Sequence, residues 1–139
     1  MNSHKIDYSA AKRYIVLNKV QDAGRPPPQK LPLIFYETTA DSEPVREWLR
    51  GLDEAERHMI GKDLRRAQRQ WPVGMPLCRP TGNGLWDVRT DLPTKRTGRA
   101  PLCLYREHLV ALHGFIRKTR GTADEDLATA RKRQKELER

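Results

Sequence analysis

Two nearly unbroken apolar runs, Ala100-Pro101-Leu102-Cys103-Leu104-Tyr105 and Leu109-Val110-Ala111-Leu112-His113-Gly114-Phe115-Ile116, are separated only by Arg106-Glu107-His108. Short apolar runs of this density read as central strands of a sheet. A connection this short makes them antiparallel neighbours. Everything else in the chain must be arranged around that hairpin.

Upstream, Leu85-Trp86-Asp87-Val88-Arg89-Thr90 alternates, which predicts a strand with Trp86 and Val88 towards the core and Asp87 and Arg89 on the opposite side. Leu33-Ile34-Phe35-Tyr36-Glu37-Thr38 is rich in β-formers and predicts a first strand. Two helical patterns lie between them. Asp41 or Ser42 is expected to cap the first, which carries Val45, Trp48, Leu49 and Leu52 on one face and ends at Gly51. Asp53 opens the second with Glu56 at capping-box distance, and Ala55, Met59, Ile60, Leu64, Ala67 and Trp71 form its stripe until Pro72 stops it. Residues 72–84, dense in Pro and Gly, are expected to form a loop. Thr122 and Glu125 open a last helix whose narrow stripe of Leu127, Ala130 and Leu137 suggests a surface position.

The predicted fold is α+β: an N-terminal strand, a helical hairpin, three antiparallel strands and a C-terminal helix, with the helices packed on one face of the sheet and the other face open. Trp48, Trp71 and Trp86 fall on core faces and read as packing residues. The folded domain is expected over residues 31–139. Residues 1–30 read as a basic extension ending in a linker, Gly24-Arg25-Pro26-Pro27-Pro28.

Charge narrows the partner. The 139 residues carry a formal net charge of +9, from 27 Lys and Arg against 18 Asp and Glu, which favours a polyanion over a neutral small molecule. The excess is not uniform. Residues 41–71 hold seven acids and seven bases, whereas residues 79–106 hold six bases (Arg79, Arg89, Lys95, Arg96, Arg99, Arg106) and two acids (Asp87, Asp91). Guanidinium forks suit phosphate oxygens, so this second stretch is the candidate anion site, with a solvated basic loop as the alternative. Cys78 and Cys103 are the only cysteines and support neither a zinc site nor a disulfide framework. Together with the absence of an apolar run of membrane-spanning length or a leader-like start, this suggests a cytoplasmic protein.

The order Leu85-Trp86-Asp87-Val88-Arg89, then Arg99, then Leu112-His113-Gly114-Phe115-Ile116-Arg117-Lys118-Thr119, then Asp124-Glu125-Asp126-Leu127-Ala128-Thr129-Ala130 closely resembles the phage-derived, HigB-like branch of the RelE/ParE toxin superfamily. The resemblance covers about residues 31–138. It implies the toxin of a type II toxin–antitoxin system, a metal-independent endoribonuclease that cuts mRNA on the ribosome and needs no cofactor, with a cognate helix-turn-helix antitoxin as partner. By motif, Arg89 would stabilise the scissile phosphate, Arg99 would support it, and Arg117 and Lys118 would stand at the active end of the last strand. Arg79, Lys95, Arg96 and Arg120 are the expected RNA-binding residues. His113 is either a general acid/base or a hydrogen-bonded structural histidine.

Three departures stand out. Asp87 replaces the usual Glu, Arg117 replaces the first Lys of the K-K-T run, and Leu102 stands where many relatives have an aromatic that would stack on a base. Two other readings share the architecture: a non-enzymatic, ParE-like inhibitor of DNA gyrase, and a phage-derived nucleic-acid-binding protein that does not cleave.

Overall fold

A computed structural model describes residues 31–118 and 123–138. Its elements are β1 (Leu33–Phe35), α1 (Pro44–Arg50), α2 (Glu54–Gln70), β2 (Cys78–Gly82), β3 (Leu85–Leu92), β4 (Arg96–Tyr105), β5 (His108–Ala111), β6 (Phe115–Arg117) and α3 (Asp124–Leu137). The α+β class is as expected. The sheet is larger and mixed, with six strands ordered β1-β5-β4-β3-β2 and β6 pairing with β4; β1 runs parallel to β5 and the other pairs are antiparallel.

The apolar hairpin sits at the centre. Arg106 and Glu107 form its two-residue turn, both at positive φ (48° and 64°), and His108 already belongs to β5, opposite Tyr105. The second apolar run, expected as one strand, is two. After Ala111 the chain leaves the ladder and rejoins the same edge of β4 at Phe115. The break follows from packing, since a Cβ on Gly114 would stand 2.1 Å from Cε3 of Trp48 on α1. Only a glycine lets the backbone pass that indole.

The expectation that all helices cover one face does not hold. Helices α1 and α2 cover one face, where Ile60, Leu64 and Ala67 meet Val88, Ala100, Leu102 and Leu109. The C-terminal helix α3 lies on the other, where Ala130 and Leu137 bury Leu85, Cys103, Val110 and Leu112. Three side chains on α3 also donate to backbone carbonyls: Arg131 to Thr81, Arg133 to Leu112 (2.8 Å) and Gln134 to Asn83 (2.9 Å). A central hairpin apolar on both sides needs a cover on both sides, and α3 supplies the second.

Three boundaries also differ. Residues 78–82, expected as loop, form the edge strand β2, turned into β3 through Asn83 and Gly84 at φ 55° and 77°. Strand β4 begins at Arg96, so only residues 93–95 remain as a loop before it. Helix α1 starts at Pro44 with Glu43 as its N-cap; Asp41 instead takes the left-handed position (φ 61°) of the turn before it. Asp53 does cap α2, accepting from the Glu56 amide at 2.8 Å, but Ala55 is exposed and Glu56 faces inwards. The expected Thr122 cap lies outside the described residues; α3 has Ala123 as its N-cap.

Candidate nucleic-acid interface

Because α3 covers only one end of its face, the other end is left open among the described residues. There the register of β3, β4 and β6 places Arg89 directly opposite Arg99, and Arg99 opposite Phe115. The next row along holds Asp91, Thr97 and Arg117. Two arginines directly opposed across a ladder repel each other.

Asp87 offsets part of that repulsion. It lies one alternation from Arg89 on the same face, is fully buried, and its Oδ2 accepts from both Nε and Nη2 of Arg99. Burial pushes its carboxyl above the usual range, against the pull of the nearby guanidinium groups of Arg99, Arg89 and Arg79. Arg99 is thus held from below, and its guanidinium carbon sits 5.0 Å from the centre of the Phe115 ring. Its side chain is only 13% exposed.

Around this fixed arginine stand further cations. Arg79, Arg89, Lys95 and Lys118 make no ion pair or side-chain hydrogen bond among the described residues. All four line a groove of about 1330 Å³, together with Arg99 and Arg117. The groove continues round the edge of β3, past Met75, Pro76 and Leu77, to Met59, Lys62, Asp63 and Arg66 on α2. Its lining holds eight Lys and Arg side chains against Asp63 and Asp91. In a concave surface, that imbalance concentrates positive potential and favours a phosphodiester chain.

Several expected site residues are placed elsewhere. Arg96 points to the helical layer, where it forms an ion pair with the buried Glu56. His113 does not line the groove. Its Nε2 donates to Oδ1 of Asp126 at 2.8 Å, Nη1 of Arg133 approaches its Nδ1 at 3.4 Å, and its ring stacks on Phe115 at 5.7 Å. This is the hydrogen-bonded setting, one contact removed from Arg99. Arg120 lies outside the described residues. Leu102 is fully buried against the helical layer, so a larger aromatic there would face α2 and not the groove.

Sequence reasoning did not single out Lys62, Arg66 or Met75. The balanced charge of residues 41–71 concealed the two bases, which recur at i and i+4 on one side of α2. Met75 is 69% exposed, a large apolar side chain standing open in a basic groove. Among the described residues no group of His, Cys, Asp and Glu is arranged to hold a metal ion, and no helix is long and apolar enough to cross a membrane.

Comparison with known proteins adds a family and nothing finer. No curated protein and no solved structure matched the chain. The profile of the phage-derived Gp49-like proteins (DUF891) matches residues 47–135, a span that runs from α1 through the whole open row of arginines into α3. That covers more than half of the 139 residues. The chain therefore belongs to the phage-derived Gp49-like protein family, a RelE-like family associated with toxin–antitoxin systems.

Proposed function

We propose that this protein is the toxin of a toxin–antitoxin pair and that it holds single-stranded mRNA on the open end of its sheet and cleaves it. The observation that carries the reading is the directly opposed pair Arg89 and Arg99, with Arg117 one row away. Like charges so placed cost stability unless an anion sits among them. A phosphate bound between the two guanidinium groups removes the repulsion and receives hydrogen bonds from both.

The chemistry needs little from the protein beyond charge and orientation. The 2′-oxygen of the RNA attacks the adjacent phosphorus, the bond from phosphorus to the 5′-oxygen breaks, and the products are a 2′,3′-cyclic phosphate and a 5′-hydroxyl. Arg89 and Arg99 stabilise the extra negative charge on the pentacoordinate phosphorus, with Arg117 beside them. One proton leaves the 2′-hydroxyl and one reaches the 5′-oxygen. Asp91 is the carboxylate of the open row that accepts the first, and the ammonium groups of Lys95 and Lys118, which line the same groove, donate the second. The site then acts in the cytoplasm on messages held by the ribosome, and an antitoxin silences it by covering the groove or by blocking access to the ribosome.

One observation favours a second reading, a toxin that binds RNA without cutting it. Among the described residues the groove lining contains no histidine or tyrosine, and His113 is engaged by Asp126 and Arg133 outside it. Mapping the 5′ ends of cellular mRNA after induction separates the two. Cleavage predicts growth arrest with new 5′ ends inside messages, both lost in Arg89→Ala while circular dichroism stays unchanged. Arrest without new ends selects the binding reading, and a fully toxic Arg89→Ala protein places the site elsewhere.

A further inference from the structure

The basic groove does not end with the sheet. Beyond the arginine row it crosses Met75, Pro76 and Leu77 and reaches the side of α2 that carries Lys62 and Arg66. These two bases are exposed and, among the described residues, neither is taken up by an ion pair or a side-chain hydrogen bond. One turn of helix separates them, so their charges stand side by side along the groove. Ile60, Leu64 and Ala67 of α2 share a core with Cys78 and Val88 of the sheet, which fixes this stretch of helix against the sheet edge. Asp63 is the one acid on this wall and offsets part of its charge.

Between the two basic walls lies an apolar saddle. Met75 and Leu104 are the exposed large hydrophobic side chains, and Met75 stands on that saddle at 69% exposure. A thioether is polarisable and makes favourable contacts with aromatic rings. A wall of cations, an open apolar side chain and a second wall of cations repeat the alternation of phosphate and base along a single strand. A duplex does not fit this order, because its bases are stacked inside and cannot reach Met75.

We propose that Lys62, Arg66 and Met75 form a second subsite for single-stranded RNA, which takes the phosphate and unstacked base next to the nucleotide held by Arg89 and Arg99. The proposal rests on the reading of the arginine row as an RNA site. It assigns the strand a path, from the open sheet round the β3 edge to α2. It also gives the groove an apolar base contact supplied by a loop.

The test uses the full chain and fluorescently labelled 2′-O-methyl oligouridylates, a dinucleotide and a longer strand, with binding read by anisotropy across a salt series. The Lys62→Gln/Arg66→Gln protein is expected to lose the advantage of the longer strand, with the slope of log affinity against log salt falling by about 0.7, the contribution of one phosphate contact on a single strand. Its binding of the dinucleotide should match the parent protein. Met75→Ala should weaken the longer strand several-fold with an unchanged slope, because an apolar contact releases no counterions. The Arg65→Gln/Arg69→Gln protein removes the same charge from α2 away from the groove and should behave like the parent.

Loss of slope in that control equal to the loss in Lys62→Gln/Arg66→Gln would reduce the effect to overall charge and overturn the subsite. Parental binding by Lys62→Gln/Arg66→Gln, alongside weak binding by Arg89→Gln, would overturn the subsite and leave the arginine row as the RNA site. Failure of the parent protein to bind either strand would overturn both.

Discussion

The two ends of one sheet face differ more than the two faces do. At one end Leu85, Cys103, Val110 and Leu112 disappear under Ala130 and Leu137 of α3; at the other, no helix of the described residues lies above Arg89, Asp91, Thr97, Arg99 and Arg117. Strand β3 contributes to both, with Leu85 and Arg89 pointing the same way. The change from packing to charge occurs within a single strand. Length explains part of it, because the 14 residues of α3 span about 21 Å as a helix whereas the 10 residues of β4 extend for about 33 Å. Asp87 stands at the boundary, buried like the covered end and ion-paired with the open end.

The largest expected effect breaks the pair at that boundary. Arg99→Ala leaves the Asp87 carboxylate fully buried without its cation, and loss of one partner of such a pair costs about 3–5 kcal/mol. Urea unfolding should show that loss, and a double variant in which Asp87 is also made Asn should recover part of it. A cost below about 1 kcal/mol would mean that Arg99 belongs wholly to the open end and supports nothing beneath it. Next in size is Leu85→Ala, which empties a buried position under α3 and should cost about 2–5 kcal/mol. RNA affinity per folded molecule should not change. A parallel loss of RNA binding would show that the covered and open ends are mechanically one unit.

What the sequence made legible follows the same division. Alternation in residues 85–90 assigned Asp87 and Arg89 to the face opposite the helical hairpin, and the register bears this out. The cover over half of that face was harder to read. The Leu127, Ala130 and Leu137 stripe is narrow, and the docking of α3 relies on Arg131, Arg133 and Gln134 meeting backbone carbonyls, which hydrophobic periodicity does not reveal. The signal available was in the centre of the sheet, where strands apolar on both sides demand two covers. Strand β2 was hidden by Pro80, which cannot donate to a ladder, and by its short polar run, although Asn83-Gly84 marks a hairpin turn. Lys95, Arg96 and Arg99 read as one basic loop in sequence. Once β4 begins at Arg96, alternation sends Arg96 to Glu56 on α2 and Arg99 to the open face. Neighbours in sequence become opposites in function, and only the register decides which is which.

The smallest expected effect is the sharpest test of the comparison. Arg89 and Arg99 stand opposite each other, yet among the described residues Arg89 makes no ion pair or side-chain hydrogen bond and reaches the buried Asp87 only through space. Arg89→Ala should therefore shift the unfolding free energy by no more than about 0.5 kcal/mol, because relief of the repulsion with Arg99 is set against loss of the attraction to Asp87. The shift should shrink further as salt screens the charges. The same substitution should abolish RNA binding, so stability and function part company at this position. If Arg89→Ala destabilised the fold as much as Arg99→Ala, both arginines would be structural, and the open end would be an incompletely covered core. A neutral or stabilising substitution that silences the protein instead identifies the row as a surface kept for an anion at some expense to the fold.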